Sequence, residues 1–167
     1  MKRHQRGAAL LIAVALLGLL AIATLARTGT SVAYCPRASE YFGAGRKMGP
    51  HRYREMLAAG VNVCLGTDSI VNLPASAADA ARGGMSVLDE ARLLFRRDGI
   101  EAGQLLRMAT INGALALGLS GDLFRFRDKG DIAGLAAVEI GPTRGDFLEA
   151  VFRSDAPATL LARRGSR

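Results

Sequence analysis

Apolar and polar positions divide the chain into short blocks. Residues 8–26 (AALLIAVALLGLLAIATLA) form an uncharged run behind the basic opening MKRHQR. Nineteen such residues reach roughly 28 Å as a helix, close to the hydrocarbon thickness of a bilayer. Residues 31–35 (SVAYC) read as a short strand stopped by Pro36. The glycine-rich stretch 36–50 reads as loop. Pro50 then opens a helix over 51–59, with Gly60 as its stop signal. A short apolar run, 61–65 (VNVCL), reads as a buried strand, and 70–84 (rich in Ala, with Pro74) as a loop. Ser86 is a good N-cap for a helix over 87–97, whose acids Asp89 and Glu90 come early and whose arginines come late, as the helix dipole favours. Residues 101–109 and 111–119 continue as helices. Beyond Gly121 the apolar runs shorten, and 132–140, 147–152 and 158–162 read as strands.

This order implies an α/β chain with two βα units followed by a small β element. Two parallel strands cannot close a barrel, and they expect cover on both faces and neighbours on both edges. The chain therefore reads as poorly soluble when isolated.

Composition supports the α/β reading. Of the 167 residues, half are hydrophobic and only 5% aromatic, with no Trp and 20 Gly. The net charge of +7 raises the prospect of a nucleic-acid partner. However, the arginines (Arg27, Arg37, Arg46, Arg52, Arg82, Arg107, Arg125) are scattered and no stripe alternates with exposed aromatics, so no nucleic-acid interface is expected. Cys35 and Cys64 each fall in an apolar run without a CxxC partner, which points to buried free thiols. Cys35 also has an alternative reading as a pocket-lining residue.

The apolar leader permits three readings. It has the n-region, h-region and A-x-A site (Ala21-Ile22-Ala23) of a secretory signal. It could anchor the chain in a membrane through residues 8–26, with Lys2, Arg3 and Arg6 on the cytoplasmic side. It could also be a buried helix of a larger protein.

Candidate chemistry concentrates at 66–69 (GTDS), where the strand 61–65 ends. A carboxylate just beyond a parallel strand lies where α/β barrels place their chemistry, so Asp68 is the candidate catalytic residue. The partners such a carboxylate needs around a metal are scarce. The histidines are His4, in the leader, and His51, at the start of a helix, where it reads as a surface or capping residue.

Five segments together resemble the amidohydrolase superfamily, in its cytosine-deaminase, chlorohydrolase and guanine-deaminase branch. They are TSVAYCP (30–36), GAG (43–45), REMLAAGVNVCLGTDS (54–69), LLRMATINGALALGL (105–119) and GDIAGLAAVEI (130–140). The resemblance implies the last two βα units of a metal-dependent TIM (β/α)8 barrel with part of a C-terminal β-sandwich. Residues 1–29 would be leader and apolar helix, 30–125 barrel fragment and 126–167 sandwich tail. It further implies a zinc or iron cofactor, a small-molecule substrate, a cytoplasmic setting and hydrolysis of non-peptide C–N bonds. Asp68 would be the metal-contacting, proton-handling carboxylate. The family's HxH pair and its later histidines are missing, and Arg37-Ala38-Ser39 stands where Ser-Asn often follows the Cys-Pro pair. The expected function is therefore that of an inactive amidohydrolase fragment, from a truncated or frame-shifted gene. The alternative is a small anchored or exported protein with a non-catalytic interaction role.

Overall fold

The computed structural model describes residues 2–69, 86–125 and 132–163. The expected loop over 70–84 lies outside them. Strands β1 (Val32–Tyr34) and β2 (Val63–Leu65) pair in parallel, with Ala33 opposite Cys64. The amide of Val32 donates to the Asn62 carbonyl at 2.8 Å, and that of Gly66 to the Tyr34 carbonyl at 2.9 Å. Residues 62, 64 and 66 thus face β1, and the backbone of Val63 and Leu65 points to the opposite edge, as the alternation of a parallel ladder requires.

The segment 36–50, expected as loop, instead contains helices α2 (Pro36–Tyr41) and α3 (Ala44–Met48). Pro36 occupies the first turn of α2, where its missing N–H costs nothing, and Pro36 and Ala38 are buried beneath it. Gly43 (φ 64°) and Gly49 (φ 83°) bracket α3 in backbone conformations that favour glycine. Gly43 and Gly49, which read as loop, therefore mark helix boundaries, while Gly45 lies within α3. Helix α4 (Tyr53–Ala58) leads into β2 as expected.

Helix α5 (Val87–Asp98) begins at Ser86, whose hydroxyl accepts from the Leu88 amide at 3.1 Å. Helices α6 (Ala102–Ala109) and α7 (Ile111–Ala116) follow, the second closed by Gly118 at φ 71° with the Leu119 amide reaching back to the Ala114 carbonyl at 2.8 Å. A 3-10 turn covers Gly121–Phe124. An antiparallel pair, β3 (Gly134–Val138) and β4 (Ala158–Arg163), makes the second sheet.

The run 147–152, expected as a strand, is helix α8 (Phe147–Arg153). Asp146 caps it, accepting from the Leu148 and Glu149 amides at 2.7 and 3.0 Å, and Glu149 pairs with Arg153 one turn on at 2.8 Å. Leu148 and Phe152 then fall on one helical face, so the period is that of a helix. Arg92, only 4% exposed, holds this segment on α5 by donating to the carbonyls of Val151 and Ala156. Each sheet has two strands among the described residues, and the expected sandwich element is one antiparallel pair with α8 in its connection.

A single apolar cluster unites these pieces. Val61, Val63 and Leu65 meet Leu94, Leu105, Met108 and Phe152. Helix α1 (Lys2–Thr28) joins by its C-terminal end, where Ile22 is buried and Leu25 and Ala26 pack alongside. It is long and apolar enough to cross a membrane, with residues 11–28 averaging a hydropathy of 2.2. Gly18 lies against the Arg52 guanidinium, but Leu19 and Leu20 beyond it stay exposed, as do most of residues 11–28.

Candidate functional site

The ends of β1 and β2 bring three sequence-predicted residues together. Past β2 the chain turns at Gly66, where a Cβ would lie 3.0 Å from the Cys35 sulfur. Two residues on, Asp68 adopts φ 59°, left-handed backbone that is uncommon for a side-chain-bearing residue. The turn leaves Asp68 exposed at the strand end, and its backbone amide hydrogen-bonds to the Cys35 sulfur. Burial, then the charges of Asp68 and Glu90, raise the Cys35 pKa above the ordinary thiol value. Cys64 sits beneath, its thiol donating to the Val32 carbonyl at 3.7 Å, and burial raises its pKa as well. Both cysteines are free, Cys64 buried and Cys35 half-buried.

Glu90 lies in the first turn of α5, as the sequence indicates, and it is buried there, only 2% exposed. Its carboxylate accepts the backbone N–H of Arg37 at 3.0 Å and lies 3.6 Å from the Arg37 guanidinium. Burial raises its pKa, while the Arg37 amide and charge oppose that shift. Cys35 opens α2 without a side-chain cap, leaving first-turn amides to be satisfied from elsewhere.

His51 does not join this site. His51 is exposed and stacks on Tyr34 with ring centroids 4.0 Å apart, and burial lowers its pKa. The backbone of His4 belongs to α1. No group of three His, Cys, Asp or Glu among the described residues could hold a metal ion. Asp68 beside a protonated thiol falls short of the roughly three protein ligands that a catalytic zinc takes. Among the described residues, the zinc or iron that the resemblance implies finds no sufficient set of ligands.

A groove of about 1040 Å³ opens elsewhere, between α2, α3, α4 and the C-terminal end of α5. Its walls include Tyr34, Glu40, Arg46, His51, Tyr53 and Arg97, but neither Asp68 nor Cys35. The polar groups there are largely spent on one another. The Tyr53 hydroxyl donates to Asp98 at 2.6 Å, while Arg97 bonds Asp98, Glu40 (2.7 Å) and the Tyr34 hydroxyl (3.1 Å). Burial, together with the bond to Asp98, pushes the Tyr53 pKa up to about 12. The Arg97 guanidinium holds Asp98 below the usual carboxylate range. This network locks helices together, and apart from Tyr34, within TSVAYCP, its members carried no motif in the sequence.

The segment 105–119 acquires a mechanical role. Asn112, 7% exposed, donates its side-chain amide to the Val63 carbonyl at 2.8 Å, on the β2 edge that faces away from β1. Asn62 ties the same region down by donating to Ser31 Oγ at 2.8 Å and to the Asn112 carbonyl at 3.0 Å. The α6–α7 pair is thereby pinned to the strand that delivers Asp68.

A family model described as the amidohydrolase family matches residues 6–156. The 5-methylthioadenosine/S-adenosylhomocysteine deaminase of Haloarcula marismortui is 33% identical over 114 residues, covering 65% of this chain and 24% of its own. The protein of the same name from Moorella thermoacetica is 36% identical over 107 residues, covering 61% and 23%. The 5'-deoxyadenosine deaminase of Methanoregula boonei is 35% identical over 107 residues, covering 58% and 21%. The chain thus spans about a quarter of the length of these curated relatives. No solved structure matches.

Proposed function

Because the chain belongs to the amidohydrolase family, we propose that its parallel pair forms the last two βα units of a (β/α)8 barrel and carries one catalytic carboxylate, Asp68. The reaction is hydrolytic deamination of an amino-purine nucleoside, the chemistry named for the relatives. The observation that supports this most is local: a buried strand, a glycine turn, and an exposed carboxylate held at its C-terminal end.

In this reading Asp68 accepts the proton of the attacking water, and the water oxygen bonds to the ring carbon that loses ammonia. The family is generally metal-dependent. The residues described do not assemble the ligands for a metal, so Asp68 acts only once the remaining barrel strands are present. These 167 residues alone are expected to show no turnover. Domain limits near 29 and 125 belong to the same proposal.

The test is a chimera in which residues 22–156 replace the matching segment of the Moorella thermoacetica deaminase, assayed for loss of the amino group from 5-methylthioadenosine. Losing a general base costs about 10²–10⁴-fold in rate, so Asp68→Asn should lower turnover by at least that range. An active chimera indifferent to Asp68→Asn would remove the residue from the mechanism.

A further inference from the structure

One buried charge has no part in the chemistry proposed above. Glu90 belongs to α5, which follows the segment after β2, yet its carboxylate reaches the beginning of α2, which follows β1. Helix α2 starts at Cys35 with no side-chain cap, and its early amides lack intrahelical partners. Glu90 satisfies one of them, the Arg37 amide at 3.0 Å, and places negative charge at a helix N-terminus, where the dipole favours it. Cys35, two residues before Arg37, is the residue whose sulfur receives the Asp68 amide.

We propose that Glu90 is the positioning residue of the strand-end site: by capping α2 from α5 it fixes Cys35, and through the Cys35 sulfur it fixes the turn that presents Asp68. The proposal deepens the reading of Asp68 as catalytic and rests on it for its functional meaning, but its geometry is testable without turnover. The ion pair with the Arg37 side chain, at 3.6 Å, is secondary to the amide bond at 3.0 Å. An isosteric amide that still accepts the Arg37 N–H should therefore serve, and a shorter acid that cannot reach it should not.

The experiment uses the full chain carrying Cys64→Ala, which leaves Cys35 as its one thiol. Two quantities are read: the rate of alkylation of the Cys35 thiolate by iodoacetamide, taken from the plateau of a full pH–rate profile so that the effect of the Glu90 charge on the thiol pKa drops out, and the chemical shift of the Asp68 backbone amide. Loss of the cap in Glu90→Ala lets the turn open locally, so alkylation should accelerate by about tenfold and the Asp68 amide should shift. Glu90→Gln and Arg37→Met keep the amide bond and should stay close to the parent in both readings. Glu90→Asp, one methylene short, should behave like Glu90→Ala and decides the matter if the alanine variant does not fold.

The proposal is overturned if Glu90→Ala or Glu90→Asp leaves both readings at parent values. It is equally overturned if Glu90→Gln opens Cys35 as fully as Glu90→Asp does. Failure of the deaminase chimera to respond to Asp68→Asn would remove the catalytic role while leaving these readings intact, so the two outcomes remain separable.

Discussion

Replacing Asn112 by alanine tests how the strand bearing the site is held. The side-chain amide of Asn112 donates to the Val63 carbonyl at 2.8 Å, at a position 7% exposed, on the β2 edge that β1 does not cover. Alanine leaves that carbonyl without its partner in a place that water reaches poorly. An orphaned buried acceptor costs about 1–3 kcal/mol. Alanine's better helix propensity returns about 0.5 kcal/mol. The bond from Asn62 survives, because it ends on the Asn112 backbone carbonyl. A net loss of about 1.5 kcal/mol is expected, which for a chain of this size lowers the melting midpoint by about 3–6 °C. Asn112→Asp should be worse, since a carboxylate cannot donate and repels the Val63 oxygen. The assay is thermal and urea unfolding followed by circular dichroism, with unchanged urea slope as the sign that the unfolded state is unaltered. An alanine variant that melts with the parent would refute the idea that this amide satisfies the strand edge.

Other predictions concern single contacts. Tyr53 has a folded pKa raised from 10.0 to about 12, so its contribution is full below 10 and is lost as the pH rises toward 12. That loss amounts to about 3 kcal/mol at most, and Tyr53→Phe should flatten the alkaline limb of a stability–pH curve; an unchanged limb would dismiss the Tyr53–Asp98 bond as its cause. Removing the hydroxyl cap in Ser86→Ala should cost about 1 kcal/mol in urea unfolding, and no loss would mean that another group caps α5. Leu16 and Leu17 are 60% and 65% exposed on α1, and Leu16→Lys with Leu17→Lys should shift the chain from aggregate to monomer in light scattering. Persistent aggregation would place the sticky surface elsewhere.

Much of the scaffold was legible because its signals are local. The short apolar run 61–65 announced a buried strand, Ser86 announced the start of α5, and both appear where expected. The helix over 147–153 was missed because a five- or six-residue apolar run has no decisive period. Only the Asp146 cap and the Glu149–Arg153 pair reveal it, and these lie at its ends and on its outer face. The glycines of 36–50 misled for a related reason, since a glycine can end a helix as well as fill a loop. The site was half legible. Asp68 stands out by following a strand, whereas Glu90 gains its meaning from Arg37, 53 positions away. No pattern read along one segment contains that pairing, and the Tyr53–Asp98–Arg97 lock was silent for the same reason.

Asp68 stands at φ 59°, a backbone shape that costs a side-chain-bearing residue about 1 kcal/mol and glycine almost nothing. Backbone energetics and chemistry thus pull this position toward different residues. In a library randomised at position 68 and sorted only for expression or heat resistance, glycine should rise. In one sorted for turnover within a complete barrel, aspartate should return despite its strain. Stabilising campaigns that average over both pressures would erode the site first at the residue it can least replace.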